Sequence, residues 1–154
     1  MDSDKERTLI IVKPDGVQRG LVGEIISRFE RRGFKIVGMK LMRIDPELAA
    51  RHYGEHHDKP FYGPLVSFIT SSPVVVMALQ GRDVVRLARN MMGALNPEDA
   101  APGSIRGDLA LSKRYNVIHG SDSPESAARE VALFFKPEEL LDYPRDMENW
   151  LKHE

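Results

Sequence analysis

Four short aliphatic runs, set apart by segments of helical period, decide most of what this 154-residue chain can fold into. Thr8-Leu-Ile-Ile-Val12 is continuous and rich in β-branched residues, the pattern of a buried strand. From Phe34 to Ile44, lysines at 35 and 40 interrupt Phe34, Ile36, Val37, Met39 and Leu41, so one face of a second strand meets solvent. Val74-Val-Val-Met77 with Leu79 gives a third strand, and Asn116-Val-Ile-His-Gly120 a fourth. After the first strand, Val22, Ile25, Ile26 and Phe29 recur at helical spacing, and Arg28, Arg31 and Arg32 crowd the last turn before Gly33. After the fourth, Ser123 stands as N-cap with Pro124 at N1 and Ser126 at N3, turning Ala127, Val131 and Phe134 or Phe135 inward. The order β-α-β, short helices, β-α-β predicts an α+β fold of the split-βαβ, ferredoxin-like kind: a four-stranded antiparallel sheet with helices on one face.

The connecting segments fit one domain over residues 1–154. Lys13-Pro-Asp-Gly16 reads as a turn. Asp45 as N-cap and Pro46 open a helix to about Tyr53, which Gly54 ends. Phe61, Leu65, Phe68 and Ile69 mark a short helix, and Asp83 caps another that carries Val84, Leu87, Ala88, Met91 and Met92 up to Gly93. Residues 96–114 hold prolines and glycines without a sustained period and read as one long loop. The extension 136–154 has Leu140, Leu141, Tyr143 and Trp150, enough to dock but not to fold alone.

Composition removes several functions. A formal charge of −1 gives no net field to recruit nucleic acid or an anionic membrane, so any anion site is local. The absence of cysteine excludes disulfides, thiolate metal ligands and a cysteine nucleophile. The charged N-terminus lacks a signal-peptide core and no run reaches membrane-spanning length, so a soluble, cytoplasmic protein is expected.

Chemistry concentrates in Asn116-Val-Ile-His119-Gly120-Ser121-Asp122-Ser123, with Glu130 on the following helix. Taken alone, a histidine after an apolar pair is equally well explained as a core or edge residue. Gly120 leaves room beside the ring, and Ser121 and Glu130 are placed to fix its tautomer. A neutral imidazole is then a competent nucleophile toward phosphorus. Phosphoryl transfer needs positive charge, for which Lys13, Arg89, Arg106 and a metal ion are the candidates. Neighbouring glycines give Arg106 the backbone freedom to approach a phosphate closely. No G-x-x-x-x-G-K-[ST] loop or protein-kinase motif is present, so side chains and metal must hold the phosphates. Phe61 can stack on a base, with Leu65 beside it, although Leu65 suits a helix–sheet core equally well. No residue there is aimed at a base edge, which predicts weak base preference. His52, His56 and His57 look poorly suited to a metal, because Gly54 breaks their helix and no carboxylate completes a site. A single-stranded RNA reader of the same topology and a histidine phosphatase or phospho-carrier stay open as alternatives.

Over nearly its whole length the chain resembles the nucleoside diphosphate kinases. The matching stretches are Thr8 to Gly16, His52-Tyr53 with Lys59-Pro-Phe61, Gly81 to Gly93, Asn96-Pro97, Pro102-Gly-Ser-Ile-Arg-Gly-Asp108 and Asn116 to Ser123, in that order. The resemblance implies a two-step exchange in which His119 takes the γ-phosphate of a nucleoside triphosphate on Nδ1 and passes it to a nucleoside diphosphate. It implies Mg2+ held mainly by the nucleotide phosphates, with no protein metal ligand. Lys13 and Asn116 would hold the sugar hydroxyl and a nearby phosphate, Arg89 and Arg106 the phosphates, and Tyr53 would line the pocket. Phe61 would stack on the base, and Glu130, through Ser121, would orient the imidazole. The family assembles as hexamers or tetramers built from a shared dimer, with the loop 96–114 joining subunits in hexamers; neither membrane nor nucleic acid is an expected partner. Leu95 departs from the pattern, since the family commonly has a threonine there that reaches a phosphate. A leucine donates no hydrogen bond, and the expected loss is roughly 0.5–3 kcal/mol of phosphate binding.

Overall fold

The computed structural model describes residues 2–152, so the last two positions of the expected extension, 153 and 154, lie outside the described residues. In chain order the elements are β1 (Arg7–Val12), α1 (Pro14–Gln18), α2 (Val22–Arg32), β2 (Lys35–Met42), α3 (Pro46–His52), α4 (Tyr62–Ile69), β3 (Val74–Gln80), α5 (Val84–Met92), α6 (Ile105–Leu109), β4 (Ile118–Gly120) and α7 (Pro124–Phe134). The strands form one antiparallel sheet in the order β2-β3-β1-β4.

Helices cover both faces of this sheet, not one. Along β1 the side chains alternate between two cores. Ile10 and Val12 meet Ile25 and Phe29 of α2 and Val84, Ala88 and Met92 of α5. Leu9 and Ile11 meet Ala49 of α3, Ile69 of α4 and Val131 and Phe134 of α7. Leu9 through Val12 are wholly buried, and every residue of β3 is buried. The uninterrupted apolar runs TLIIV and VVVMAL are the signature of that double coverage, whereas a sheet with one wet face alternates. The edge strand β2 does have a wet face, leaving Met39 and Leu41 more than half exposed.

Local chemistry sets the helix ends. Asp45 accepts from the Leu48 amide at 2.8 Å and Ser123 from the Ser126 amide at 3.0 Å, while Gly33 ends α2 at φ 110°. Asp83 does not cap α5 with its side chain: it sits at φ 56°, and Glu6 reaches across the sheet to accept from the Val85 amide at 3.0 Å. Two stretches expected to be irregular are partly helical. Lys13-Pro-Asp-Gly16 leads into α1, with Pro14 at a first-turn position that needs no amide hydrogen. The loop 96–114 contains a 3₁₀ turn and then α6, N-capped by Ser104, whose hydroxyl accepts from the Gly107 amide at 3.1 Å. A Cβ on Gly107 would stand 2.1 Å from the Ala101 carbonyl oxygen, so this glycine permits close packing and is not a hinge for Arg106.

The extension docks through its backbone as much as through its apolar residues. The β2–β3 register shifts between Ile36 and Gly38; there the Leu141 amide donates to the Val37 carbonyl at 2.8 Å and the Tyr143 hydroxyl to Ile36 at 2.7 Å. Leu140 packs on the core, but Leu141 and Trp150 are exposed, so Trp150 is not one of the docking residues.

Candidate active site

His119 is the middle residue of β4, paired with Ile11 on β1. The strand is short because Val117 before it adopts φ 65°, a left-handed conformation that costs a β-branched residue on the order of 1–3 kcal/mol. Both polar groups of Val117 are pinned by the segment after β1. Its amide donates to the Asp15 carboxylate at 3.1 Å and its carbonyl accepts from the Lys13 amide at 2.9 Å. The strain thus brings Lys13, Asn116 and His119 to one end of the sheet.

There the polar groups form two connected chains. In the first, Glu130 Oε1 lies 3.1 Å from His119 Nε2 and accepts from the Ser121 hydroxyl at 2.6 Å. The Leu9 amide in turn donates to Ser121 Oγ at 3.1 Å. Glu130 therefore touches the ring directly, and Ser121 holds Glu130, the reverse of the relay expected from sequence. Burial alone would raise the Glu130 carboxyl, but the hydrogen bonds from His119 and Ser121 and the charge of the imidazoles outweigh it, and its pKa falls to about 2. Gly120 does not make room beside the imidazole, since a Cβ there would meet Met92 Sδ at 2.5 Å. It lets β4 pack on α5.

In the second chain, Lys13 Nζ donates to Asn116 Oδ1 at 2.8 Å, and Asn116 Nδ2 donates to the Leu95 carbonyl at 3.2 Å. Arg106 is buried and donates to three carbonyls, Asn116 from Nε and Gly93 and Ile118 from its terminal nitrogens. A guanidinium has five N–H donors, so two remain for an anion. Arg89, at the exposed end of α5, donates to the Gly120 carbonyl at 3.3 Å. Burial, then the charge of Arg106, lowers Lys13 to about 8, against the opposing pull of Asp15. Burial, then Arg89, lowers Arg106 to about 10. Cations crowded this way are set to receive negative charge.

Both chains open into one cavity of about 780 Å³, also lined by Tyr53, Phe61, Leu65, Phe68 and Leu95. That volume suits a ligand of nucleotide size. Tyr53 is buried, and burial followed by Glu130 keeps its hydroxyl protonated well above the usual range. Phe61 is half exposed on the cavity wall with its ring 5.5 Å from that of His56, while Leu65 is partly in the core and partly on the cavity wall.

A family profile described as Nucleoside diphosphate kinase matches residues 6–140. A nucleoside diphosphate kinase of Carboxydothermus hydrogenoformans is 65% identical over 146 residues, covering 95% of this chain and 98% of that one. One from Pyrococcus horikoshii is 62% identical, covering 93% of each. The structure of a nucleoside diphosphate kinase from Halobacterium salinarum in complex with CDP superposes with a TM-score of 0.94 at 54% identity, covering 97% of this chain and 99% of that one. The chain belongs to the nucleoside diphosphate kinase family.

Within that family frame, every site residue expected from sequence except Ser121 lines the cavity, and Ser121 stands directly behind Glu130. Leu95 presents an exposed apolar side chain to the cavity, so only its backbone carbonyl contributes polar contact. Sequence reasoning missed His52, whose ring lies 4.9 Å from that of His119, and the Lys113-Arg114 pair on the rim. His52 was weighed only together with His56 and His57, beyond the helix break at Gly54, and of these His57 turns away to Asp58.

Proposed function

We propose that the chain transfers the γ-phosphate of a nucleoside triphosphate to a nucleoside diphosphate through a phosphohistidine on His119. The observation that carries this reading is the His119–Glu130–Ser121 chain opening into the same cavity as Lys13, Arg89 and Arg106. Glu130, ionised at neutral pH, only accepts hydrogen bonds, so His119 Nε2 bears the proton and Nδ1 keeps its lone pair. In the first half-reaction Nδ1 bonds to the γ-phosphorus as the bond to the β–γ bridging oxygen breaks, releasing the diphosphate. In the second, a terminal oxygen of another diphosphate attacks the phosphohistidine and Nδ1 leaves. Glu130 stabilises the positive charge that develops on the ring in both directions. Lys13, Arg89 and the two spare donors of Arg106 stabilise the phosphoryl oxygens, and Phe61 stacks on the base with low selectivity.

The family needs a divalent metal, and we take it to be Mg2+. Among the described residues the cavity wall carries several cations and, apart from Glu130, only Asp122 as a carboxylate. That donor set fits an ion held mainly by nucleotide phosphates and water. Bound there, Mg2+ would offset charge on the β- and γ-phosphates. The same reading places the enzyme in the cytoplasm, where triphosphates are pooled, as a homo-hexamer, with a tetramer the alternative; light scattering decides between them.

Incubation with γ-labelled ATP tests the mechanism. The protein should carry acid-labile, base-stable label that added diphosphate discharges as triphosphate. Release only as free phosphate would favour a phosphatase. The RNA-reading alternative loses support because helices cover both sheet faces, leaving no open face for bases.

Two further results are expected. Leu95→Thr should restore a hydroxyl to the phosphate side of the cavity and lower KM for the diphosphate by at least about twofold; steady-state kinetics with unchanged KM would remove the idea. Lys13, at about 8 in the empty site, should be driven fully charged by a bound phosphate. Affinity is then complete below pH 8 and weakens as pH rises through it. Calorimetry near pH 8 in buffers of different ionisation enthalpy should show uptake of roughly half a proton, which Lys13→Met removes.

A further inference from the structure

His52 is buried, and neither of its ring nitrogens has a hydrogen-bond partner among the described residues. An imidazole in that position ordinarily finds a donor or acceptor. Its surroundings contain ligands instead. His52 Nδ1 lies 3.9 Å from Glu130 Oε2, His119 Nε2 lies 3.1 Å from Glu130 Oε1, and one ligand atom from each of the three residues falls within 4.8 Å of the others. The two imidazole rings stand 4.9 Å apart at 80°, and one nitrogen of each lies within 4 Å of a Glu130 oxygen.

We propose that His52, His119 and Glu130 form a binding site for a zinc-class divalent cation, and that its occupancy blocks phosphoryl transfer. Ligands about 2.0–2.2 Å from a tetrahedral zinc ion stand about 3.4 Å from one another. The observed 3.1 and 3.9 Å run to the two different oxygens of Glu130, and with one atom per residue the set spans up to 4.8 Å, so side-chain rotation has to draw it together around an ion. Two imidazoles and one carboxylate select zinc over magnesium, which prefers six oxygens. All three residues line the cavity, which gives the ion a path in and a water for the fourth position. Ser121 donates to Glu130 Oε1 and orients it. Arg129, 3.6 Å from Glu130 Oε2 and half exposed, is the competing cation and can swing to solvent.

The block follows from tautomer chemistry and rests on His119 being the nucleophile. A metal takes the Nε2 lone pair, so the single proton of the neutral ring moves to Nδ1. That nitrogen then has no lone pair for phosphorus. Binding of the ion does not depend on that reading.

The test uses metal-free wild-type enzyme. Titration with Co2+ should give visible absorption bands of four-coordinate intensity, saturating at one ion per chain and bleached by Zn2+; no such bands would overturn the site. Zn2+ added to the exchange assay with Mg2+ in large excess should abolish turnover, and a chelator should restore it. His52→Phe, which keeps an aromatic ring but removes both nitrogens, should need at least tenfold more zinc for the same inhibition. His52→Asn serves if the phenylalanine variant does not fold. Identical inhibition curves for wild type and variant would overturn the assignment by placing zinc on the nucleotide. Cobalt bands with full activity would overturn the block and leave the γ-phosphate labelling test to judge the role of His119.

Discussion

Replacing His119 with glutamine is expected to reduce nucleotide exchange by roughly 10⁴- to 10⁶-fold, the range for loss of an essential nucleophile, and to abolish labelling by γ-labelled ATP. The fold should survive. A glutamine amide can still donate toward Glu130, Ser121 continues to donate to that carboxylate at 2.6 Å, and the β1–β4 pairing uses only the backbone of residue 119. Thermal unfolding within a few degrees of wild type, together with retained diphosphate binding, would place the loss in the chemical step. The comparison is sharpest against Glu130→Gln, which keeps the nucleophile but replaces an obligate acceptor with a group that can also donate. The Nε2 proton is then no longer enforced, and turnover should fall with label still detectable. If the glutamine variant at 119 keeps stoichiometric label, another residue carries the phosphate.

Much of the scaffold around His119 was legible in the sequence because it is written in local pattern. The buried runs of β1 and β3, the Asp45 and Ser123 caps and the Gly33 stop depend on residues within a few positions of one another, and each occurs as expected. What was lost depends on distant partners. Asp83 looks like a cap, but the group that serves the Val85 amide is Glu6, 79 residues away. Double coverage of the sheet was implicit in the unbroken run of β1, yet became visible only when α3, α4 and α7 gathered on the second face. Five-residue α6 is too short to show a period, and the glycines around it suggested looseness where Gly107 is in fact tightly packed.

The site divides along the same line. His119, Glu130 and Ser121 lie within twelve residues, so their association was readable, although the order of contact was not. Lys13 and Asn116 are 103 residues apart, and resemblance brought them together before geometry did. His52 stands 67 positions from His119, and although His52-Tyr53 belongs to a stretch that carries the family resemblance, nothing in the sequence assigned the histidine a role. Leu95 was the reverse case, a single residue whose chemistry is plain from its type and whose exposed place on the cavity wall the fold supplies.

Arg106 shows why the long loop cannot be treated as mere surface, and Arg106→Met is expected to lose both stability and activity. Its three bonds tie α6 to the carbonyls of Gly93 at the end of α5 and of Asn116 and Ile118 around β4. The Asn116 carbonyl keeps the Ile118 amide at 2.8 Å, whereas losing the Arg106 bond at Gly93 and Ile118 costs up to about 1–3 kcal/mol each, partly recovered by cavity water. Removing a guanidinium whose burial is itself unfavourable returns some of that cost. A net loss of about 2–4 kcal/mol should remain, which for a domain of this size lowers the melting temperature by roughly 4–15 °C. Loss of the two donors left for phosphate should add a fall of about 10²- to 10³-fold in kcat/KM, measured below the lowered melting point. Arg106→Lys separates charge from geometry. Lysine keeps the cation but has one nitrogen, which cannot reach three divergent carbonyls and still present donors to an anion. Its kcat/KM should therefore fall to within about tenfold of the methionine variant. A lysine variant with near-wild-type activity would mean that positive charge alone suffices there, and that the three-carbonyl clamp serves only the fold.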